Sequence, residues 1–296
     1  SYSGIGYGGL DQQLNDRQRE EITGFDVAAN VNLDKFLPDE WGLRIPAYAA
    51  YSRNASTPQF DPYDLDIPLK DKLAAAETTE ARDSIRSQAQ DATTIRSVSL
   101  NNVRKERTGG GDSKPMPWNV ENLTLSYAYS ETENTDPIIE SDNITTHRAT
   151  VDYAYSRPVN YIEPFKNLVG DNKYLQLLGG FNFNPLPNTI SVGTELDRYF
   201  AETRYRFTGG DPLFSTFYNK RLTWDRNYNV QWDMARGLKF NFNATAFAVI
   251  DEPDEIRIRE NPDIVDVNAY RQDSIWAGIK SFGRTKNYRH NFNVNY

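Results

Sequence analysis

Residues 238–250 alternate between apolar and polar side chains, with Phe240 and Phe242 on one side and Asn241 and Asn243 on the other. Successive side chains of a β-strand point to opposite faces of a sheet, so the pattern predicts strands with one apolar and one polar face. The same period of two recurs along the chain at 25–34, 123–130, 147–155, 214–234 and 288–296, and more weakly at 1–10, 43–56, 94–105 and 188–207.

Turn-forming sequences separate the predicted strands. They lie at 38–42, 108–111, 134–137, 208–212 and 236–237, and all contain glycine or proline. Short connections between consecutive strands are typical of antiparallel neighbours. The predicted fold class is therefore all-β: an up-and-down antiparallel meander of about ten long strands, with short helical insertions.

Strand length indicates a partial wall of a very large transmembrane β-barrel. A bilayer needs strands of about 9–11 residues, whereas 214–234 spans roughly 65 Å at ~3.3 Å per residue. Such a strand extends beyond the bilayer. We therefore expect the whole chain, 1–296, to be part of one barrel domain. In the 188–207 strand the apolar phase changes near Arg198 and Tyr199, which predicts a β-bulge there.

In a transmembrane barrel, apolar side chains face lipid and their polar neighbours face the lumen. The lipid-facing candidates are Phe240, Phe242, Ile250, Leu123, Leu125, Tyr127, Trp224, Tyr228, Trp232 and Phe292. The lumen-facing candidates are Asn241, Asn243, Asn227, Asn229, Asn291 and Asn293.

Three insertions interrupt the alternation. Residues 57–92 contain an Ala-, Glu- and Arg-rich stretch that predicts a helix over 66–91. Residues 158–187 are rich in proline and asparagine, and we expect this loop to fold into the lumen because its apolar residues need cover. Residues 252–282 combine charged and apolar side chains and are predicted to form a loop with a short helix.

Composition excludes several classes of protein. The chain has no cysteine, which removes disulfides, thiolate metal sites and thiol nucleophiles. Its net charge is −8 and no basic stretch is present, so nucleic acid is not an expected partner. No apolar run is long enough for a transmembrane helix. Because Tyr296 ends the chain in the middle of an alternating pattern, we expect a segment of a larger protein.

Candidate sites for chemistry carry little signal. Residues 4–9 fit the spacing G-x-G-x-x-G, but no strand of useful length precedes them and no apolar helix follows, as a dinucleotide site requires. His147 and His290 are the only histidines and lie far apart in sequence. The acidic clusters at 61–66 and 251–255 lack the spacing of a calcium loop. We therefore expect no enzyme activity, no cofactor and no metal.

Asparagine is unusually frequent on the polar side of the predicted strands. It recurs at alternate positions near the end of the chain, at 291, 293 and 295, and in pairs at 227–229 and 241–243. Uncharged amides facing water form a hydrated wall that neither repels charged chains nor binds them tightly. This composition favours a conduit for varied polypeptides.

Several short blocks are similar to one protein family. They are LDKFLP at 33–38, WGLRIP at 41–46, SLNNVRK at 99–105, FNFNPLP at 181–187, TWDRNY at 223–228 and FGR at 282–284. In these blocks and their order the chain resembles the SprA (Sov-type) family, the outer-membrane translocons of the type IX secretion system in Bacteroidota, which also serve gliding motility. No catalytic residue is carried over from the family.

The resemblance implies a single-chain outer-membrane barrel with a large aqueous lumen and a lateral opening, which exports cargo proteins and gliding adhesins. It further implies secreted cargo, outer-membrane lipid, an accessory shuttle barrel and a plug protein as partners. Two other interpretations of the sequence stay open. One is a substrate-specific outer-membrane transporter or porin; the other is a soluble surface β-sandwich, whose two apolar faces would pack against each other.

Overall fold

The computed structural model describes residues 2–7, 18–107, 116–166, 179–206 and 216–296. Most of them belong to one large sheet. The strands are β1 (Tyr2–Tyr7), β2 (Gln18–Asn32), β3 (Leu43–Arg44), β4 (Pro46–Pro58), β5 (Phe60–Asp61), β6 (Asp64–Pro68), β7 (Asp91–Lys105), β8 (Leu123–Thr135), β9 (Ile139–Ser156), β10 (Thr189–Tyr205), β11 (Thr216–Ala235), β12 (Leu238–Ile250) and β13 (Arg284–Asn295).

The large sheet is an antiparallel meander. Its order is β1-β2-β4-β7-β8-β9-β10-β11-β12-β13, while β3 pairs with β7, and β5 and β6 form a separate two-stranded sheet. Every long strand therefore lies beside the next long strand of the chain, and the predicted fold class is confirmed. β11 has 20 residues, well above the usual length of a soluble strand. Within the described residues, β1 and β13 do not pair and the sheet is open.

Connections at the two ends of the sheet differ. At the end that we call the helical end, 59–90 carries α1 (Leu69–Ala75) and α2 (Thr79–Ala89), and 251–283 carries α3 (Glu255–Glu260) and α4 (Val267–Lys280). The opposite end, the loop end, carries 33–45, 157–188 and the turn 236–237. Where we predicted one helix over 66–91, the structure has two, divided at Ala76. Residues 167–178 of the predicted loop 158–187 lie outside the described residues.

In each helix pair, the second helix begins at a residue whose side chain caps its N-terminus. The Thr78 hydroxyl accepts a hydrogen bond from the Ala81 amide at the start of α2, and the Asp266 carboxylate accepts from Asn268 and Ala269 at the start of α4. Much of the described core lies in two small patches where these helices cover the sheet. Its apolar residues include Ala55, Leu69, Ala89 and Ala92 in one patch and Leu222, Ala248, Ile250 and Ile258 in the other.

The register contains a bulge in β7 that the alternation did not predict. Leu100 pairs with Tyr127 and Val103 with Leu125, so Asn101 and Asn102 of β7 lie opposite the single residue Ser126 of β8. One of them, Asn102, has a φ of 54° and donates its backbone N–H to the Ser126 hydroxyl. Asparagine tolerates this left-handed conformation better than most residues do. The bulge lies within the block SLNNVRK.

The bulge predicted near Arg198 and Tyr199 is wrong. β10 pairs with β9 and with β11 in continuous register through both residues, and its one irregularity falls between Arg204 and Tyr205. The change of apolar phase has another cause. Arg198 stays on the apolar side of the sheet because Glu252 in the 251–283 connection binds its guanidinium there.

Replacing Asn102 by valine is expected to destabilise the protein by about 1–2 kcal/mol, because a β-branched side chain is strained at positive φ. Asn102→Gly relieves that strain and is expected to remain close to the parent. The urea midpoint of the full-length protein measures both effects. Asn101→Val is the matched control at the neighbouring position. Equal destabilisation by Asn102→Val and Asn101→Val would contradict the explanation by positive φ.

Candidate functional site

The sheet has two chemically distinct faces, which its register defines. Direct Cα partners of antiparallel strands carry their side chains on the same face. We call the face of Phe240 the aromatic face and the face of Asn241 the asparagine face. One row of direct partners on the aromatic face crosses eight strands: Val31, Ala47, Leu100, Tyr127, Ala149, Leu196, Trp224 and Ala248.

All ten lipid-facing candidates lie on the aromatic face. Tyr228 pairs with Ala244, Trp232 with Phe240, and Phe242 with both Val230 and Phe292. Large apolar side chains of this face are open to solvent over most of the sheet; Phe25 is 59% and Phe292 is 64% exposed. Others on this face that are exposed are Val27, Val31, Val98, Leu123, Leu125, Tyr127, Val151, Tyr288 and Val294. Contact with lipid itself stays a prediction for these residues.

Two of these candidates are covered by the 251–283 connection. Ile250 is only 2% exposed, and a Cβ at Gly278 in α4 would overlap its side chain. The Trp224 indole stacks on Phe282, with ring centroids 5.6 Å apart and planes 9° apart. Ile250 is therefore not available to lipid in this structure, and Trp224 is partly shielded. The alternation predicted the face of these residues correctly but could not show that a later segment packs over them.

The six lumen-facing candidates all lie on the asparagine face, and five of them form two rows. Gln231 pairs with Asn241 and Asn241 with Asn293; Asn229 pairs with Asn243 and Asn243 with Asn291. Asn227 lies next to these rows and pairs with Thr245. Strands are about 4.8 Å apart, so the amides form a regular uncharged array across β11, β12 and β13. Whether this face lines a lumen stays a prediction.

Ion pairs fasten the 251–283 connection to the helical end of the aromatic face. Arg198 donates two hydrogen bonds to Glu252, at 2.8 and 2.7 Å. Arg271 of α4 donates two to Glu255, at 2.9 and 2.5 Å, and Lys220 of β11 lies 3.8 Å from the same carboxylate. The carboxylates of Glu252 and Glu255 are almost completely buried. Hydrogen bonding to Glu255 raises the pKa of Arg271.

The two arginines of this cluster also flank an aromatic ring. The guanidinium carbons of Arg198 and Arg271 lie 5.3 and 5.4 Å from the centre of the Phe200 ring. Cations close to a ring face are attracted by its quadrupole. Ion pairs and cation–π contacts thus both attach the 251–283 connection to the sheet. We call Arg198, Lys220, Glu252, Glu255 and Arg271 the clamp.

The described part of 158–187 contacts β11 at the loop end, on the aromatic face, through Trp232. The Trp232 indole N–H donates to the Asn184 carbonyl at 2.9 Å, and the Asn184 amide donates to the Met234 carbonyl at 2.8 Å. Ile162 and Phe183 form a β-bridge that closes the loop. Folding of the loop into the lumen stays a prediction. Its described phenylalanines contact one another: the ring centroid of Phe181 lies 5.9 Å from that of Phe165 and 6.0 Å from that of Phe183.

A second ion-pair group organises the loop end. Arg44 lies 3.2 Å from Asp34 and 3.0 Å from Glu106, and the Ile45 amide donates to Asp34 at 3.3 Å. Hydrogen bonds from Arg44 and Arg104 lower the pKa of Glu106. Burial raises the pKa of Asp34, but the Ile45 amide and Arg44 outweigh it, and that pKa is lowered overall. These contacts join the blocks at 33–38, 41–46 and 99–105.

Acidification is expected to loosen the 33–45 segment. A carboxyl group with a lowered pKa in the folded state stabilises that state above its unfolded pKa, about 4, and the contribution is lost as the pH falls through the lowered pKa. Fluorescence anisotropy of a dye on Asp39→Cys is expected to fall in that range. In an Arg44→Leu background the anisotropy is expected to be low already at neutral pH. An unchanged acid transition in that background would contradict the role of Arg44.

Other chemistry finds no support in the described ranges. They contain no group of three or more His, Asp or Glu residues that could hold a metal. His147 and His290 both lie on the aromatic face, separated by β10, β11 and β12, and the His147 Nδ1 atom is 2.9 Å from the Tyr127 hydroxyl. The described helices include none that is long and apolar enough to cross a membrane. The acidic residues at 251–255 serve the clamp and the Asp251–Arg284 pair.

Comparison with known proteins adds the family relation. Residues 1–73 match the SprA_N family. Its description is motility related/secretion protein. The match runs from β1 into α1 and so includes the first strands of the large sheet. It supports a relation of this chain to SprA motility and secretion proteins. A search of curated proteins finds no match.

The sequence blocks that carried the resemblance meet in space. In the block TWDRNY, the Arg226 guanidinium carbon lies 4.7 Å from the Trp224 ring centre, and 5.3 Å from that of Phe282 in the block FGR. Arg226 is 9% exposed although it lies on the aromatic face. These blocks therefore mark places where connections are joined to the sheet. Periodicity alone could not have found the contact between Arg226 and Phe282, because these two residues lie more than fifty residues apart in sequence.

Proposed function

We propose that this chain is a stretch of the wall of a large outer-membrane β-barrel, through which a motility-related secretion system of the type IX kind exports proteins. The observation that carries the proposal is a single-layered sheet with one face that bears a broad apolar band and one polar face. An exposed apolar surface of this extent is rare on soluble monomers. In a barrel wall, the apolar face contacts acyl chains and the polar face contacts water.

The proposal assigns a chemical role to each face. The aromatic face contacts lipid of a Bacteroidota-like outer membrane. The asparagine face lines the lumen, where amides such as Asn241 and Asn243 keep water bound without adding charge. A secreted chain of either charge sign can pass such a wall. The protein acts as a conduit with no catalytic residues and no cofactor, and it does not bind nucleic acid.

The proposed translocon acts on cargo proteins and together with accessory proteins. Cargo proteins and gliding adhesins are the expected substrates. A shuttle barrel and a plug protein are the expected partners at a lateral opening. Support for these partners is the relation to SprA motility and secretion proteins and the resemblance of the sequence blocks.

The soluble sandwich fits the structure poorly. It requires a second sheet packed on the aromatic face, whereas the other sheet within the described residues has two strands, β5 and β6. A substrate-specific transporter or porin shares the barrel wall, so only a measurement of transport separates it from the proposed conduit.

Single-channel recording of the full-length protein in planar bilayers tests the proposal. The expected result is a large conductance that does not saturate with solute and stays similar for cations and anions. A small, saturable, solute-selective conductance would identify a substrate-specific transporter instead. In cells, deletion of β11–β13 from the full-length protein is expected to abolish export of cargo. A matched deletion of 163–166 in the 157–188 connection is expected to leave some export.

A further inference from the structure

The aromatic face changes character along its strands. On several strands it is apolar towards the loop end and carries charged residues towards the helical end. On four strands the first charged residue met in that direction is Arg53 of β4, Arg96 of β7, Glu131 of β8 and Arg198 of β10. These residues mark the helical-end boundary of the apolar band.

This boundary runs obliquely across the sheet. The direct partner of Arg53 is Thr94, two residues from Arg96, which itself pairs with Glu131. Glu131 pairs with Thr145 and Thr145 with Phe200, two residues from Arg198. The boundary is therefore displaced by four residues (two plus two) over the four strand steps from β4 to β10.

The displacement converts into an angle. The boundary moves by one residue, about 3.3 Å along the strand, for each step of about 4.8 Å to the neighbouring strand. It is therefore inclined by about 35° to the direction perpendicular to the strands. A bilayer surface is flat. For a flat surface to follow this boundary, the strands must tilt by the same angle from the bilayer normal. Strands of transmembrane barrels tilt by about 35–45°.

The width of the band fits the same geometry. On β7 the aromatic face is bounded by Arg96 and, towards the loop end, by Lys105, which pairs with Glu121 at 3.5 Å. Allowing for the bulge, about eight steps separate them, or about 26 Å along the strand. At a tilt of 35° this is about 22 Å along the normal, close to the ~25 Å apolar band of outer-membrane barrels.

We propose that the acyl layer of the membrane contacts only the oblique band between this helical-end boundary and the level of Lys105 on β7. The strands cross it with a tilt of about 35°. The helical end of the sheet then lies outside the bilayer on one side. The 251–283 connection and its clamp rest on the lipid-facing side of the wall but beyond the acyl layer. This inference rests on the proposed function, since it assigns the aromatic face to lipid.

A pair of positions in one hydrogen-bonded row tests the tilt. Val27 of β2 and Glu131 of β8 are joined by direct partners through Tyr51 and Arg96. An untilted sheet places them at one depth. A tilt of 35° places Val27 inside the band and Glu131 at its edge, about 8 Å apart along the normal.

The chain has no cysteine, so introduced cysteines can carry a fluorophore selectively once any others in the full-length protein are changed to serine. The protein is reconstituted in phosphatidylcholine nanodiscs, with the nitroxide quencher at the end of the lipid acyl chain. Quenching of the label at Val27→Cys is expected to exceed that at Glu131→Cys by about threefold, because Val27 lies deeper in the acyl layer. Asp26→Cys, on the asparagine face, and Trp276→Cys, on α4, are expected to show no quenching.

Each outcome of this experiment has one meaning. Equal quenching at Val27 and Glu131 overturns the tilt, and quenching at Trp276 overturns the position of the 251–283 connection. Absence of quenching at Val27 and also at Val151, in the middle of the band, overturns the inference together with the membrane assignment in the proposed function. The threefold difference, with unquenched Asp26 and Trp276, supports the inference.

Discussion

Replacing Glu255 by alanine is expected to release the 251–283 connection from the sheet, at a cost of about 3–5 kcal/mol. The Glu255 carboxylate is fully buried between Arg271 and Lys220, whose side chains are themselves largely buried. Without this carboxylate, the side chains of Arg271 and Lys220 lose a negatively charged partner in a poorly solvated environment. Hydrogen exchange of α3 and α4 in the full-length protein measures the release, as a loss of amide protection.

Asp251→Ala is the matched control in the same connection. The Asp251 carboxylate lies 2.7 Å from Arg284, but both side chains are well exposed. Exposed pairs contribute about 0–1 kcal/mol, so protection of α4 is expected to persist in this variant. The double variant Glu255→Leu with Arg271→Leu removes one cation with the carboxylate and is expected to recover part of the protection. Equal protection in Glu255→Ala and the parent would contradict the clamp.

Alternation predicted the sheet well because a shift of one residue moves a whole strand to the wrong face. The pairs Val230–Phe242 and Asn229–Asn243 show the result: like residues meet on both faces of β11 and β12. Both the strand order and the two faces could therefore be inferred before any contact was known. The length of β11, 20 residues, was also visible in the pattern.

The predictions for Ile250 and Arg198 failed because alternation carries no information on contacts between distant segments. Alternation reports which face a side chain occupies but not what covers it, so Ile250 was predicted to face lipid although α4 packs over it. Arg198 broke the pattern of β10 and suggested a bulge; its partner Glu252 lies 54 residues later in the sequence. Long-range contacts of insertions leave no periodic signal.

Placing an arginine at Val151 is expected to prevent assembly of the protein in the membrane. Val151 lies in the middle of the apolar band of β9, where its direct partners are Leu125 and Thr194. A charged side chain on the lipid side of a barrel costs about 2–4 kcal/mol at the bilayer midplane. The barrel fraction of the full-length protein in outer-membrane preparations, separated by heat-modifiable electrophoresis, is expected to fall by at least about tenfold, since 1.4 kcal/mol already corresponds to that factor.

Thr150→Arg is the matched control, because the neighbouring residue on the same strand points to the opposite face. Thr150 pairs with Ser126 and Glu195, so an arginine there meets water and a carboxylate. Assembly of this variant is expected to stay within about twofold of the parent, as substitutions on the lumen side alter selectivity more than stability. The comparison changes only the face that receives the charge. If both variants assemble equally well, the aromatic face does not contact acyl chains, and its exposed side chains must be covered by protein instead.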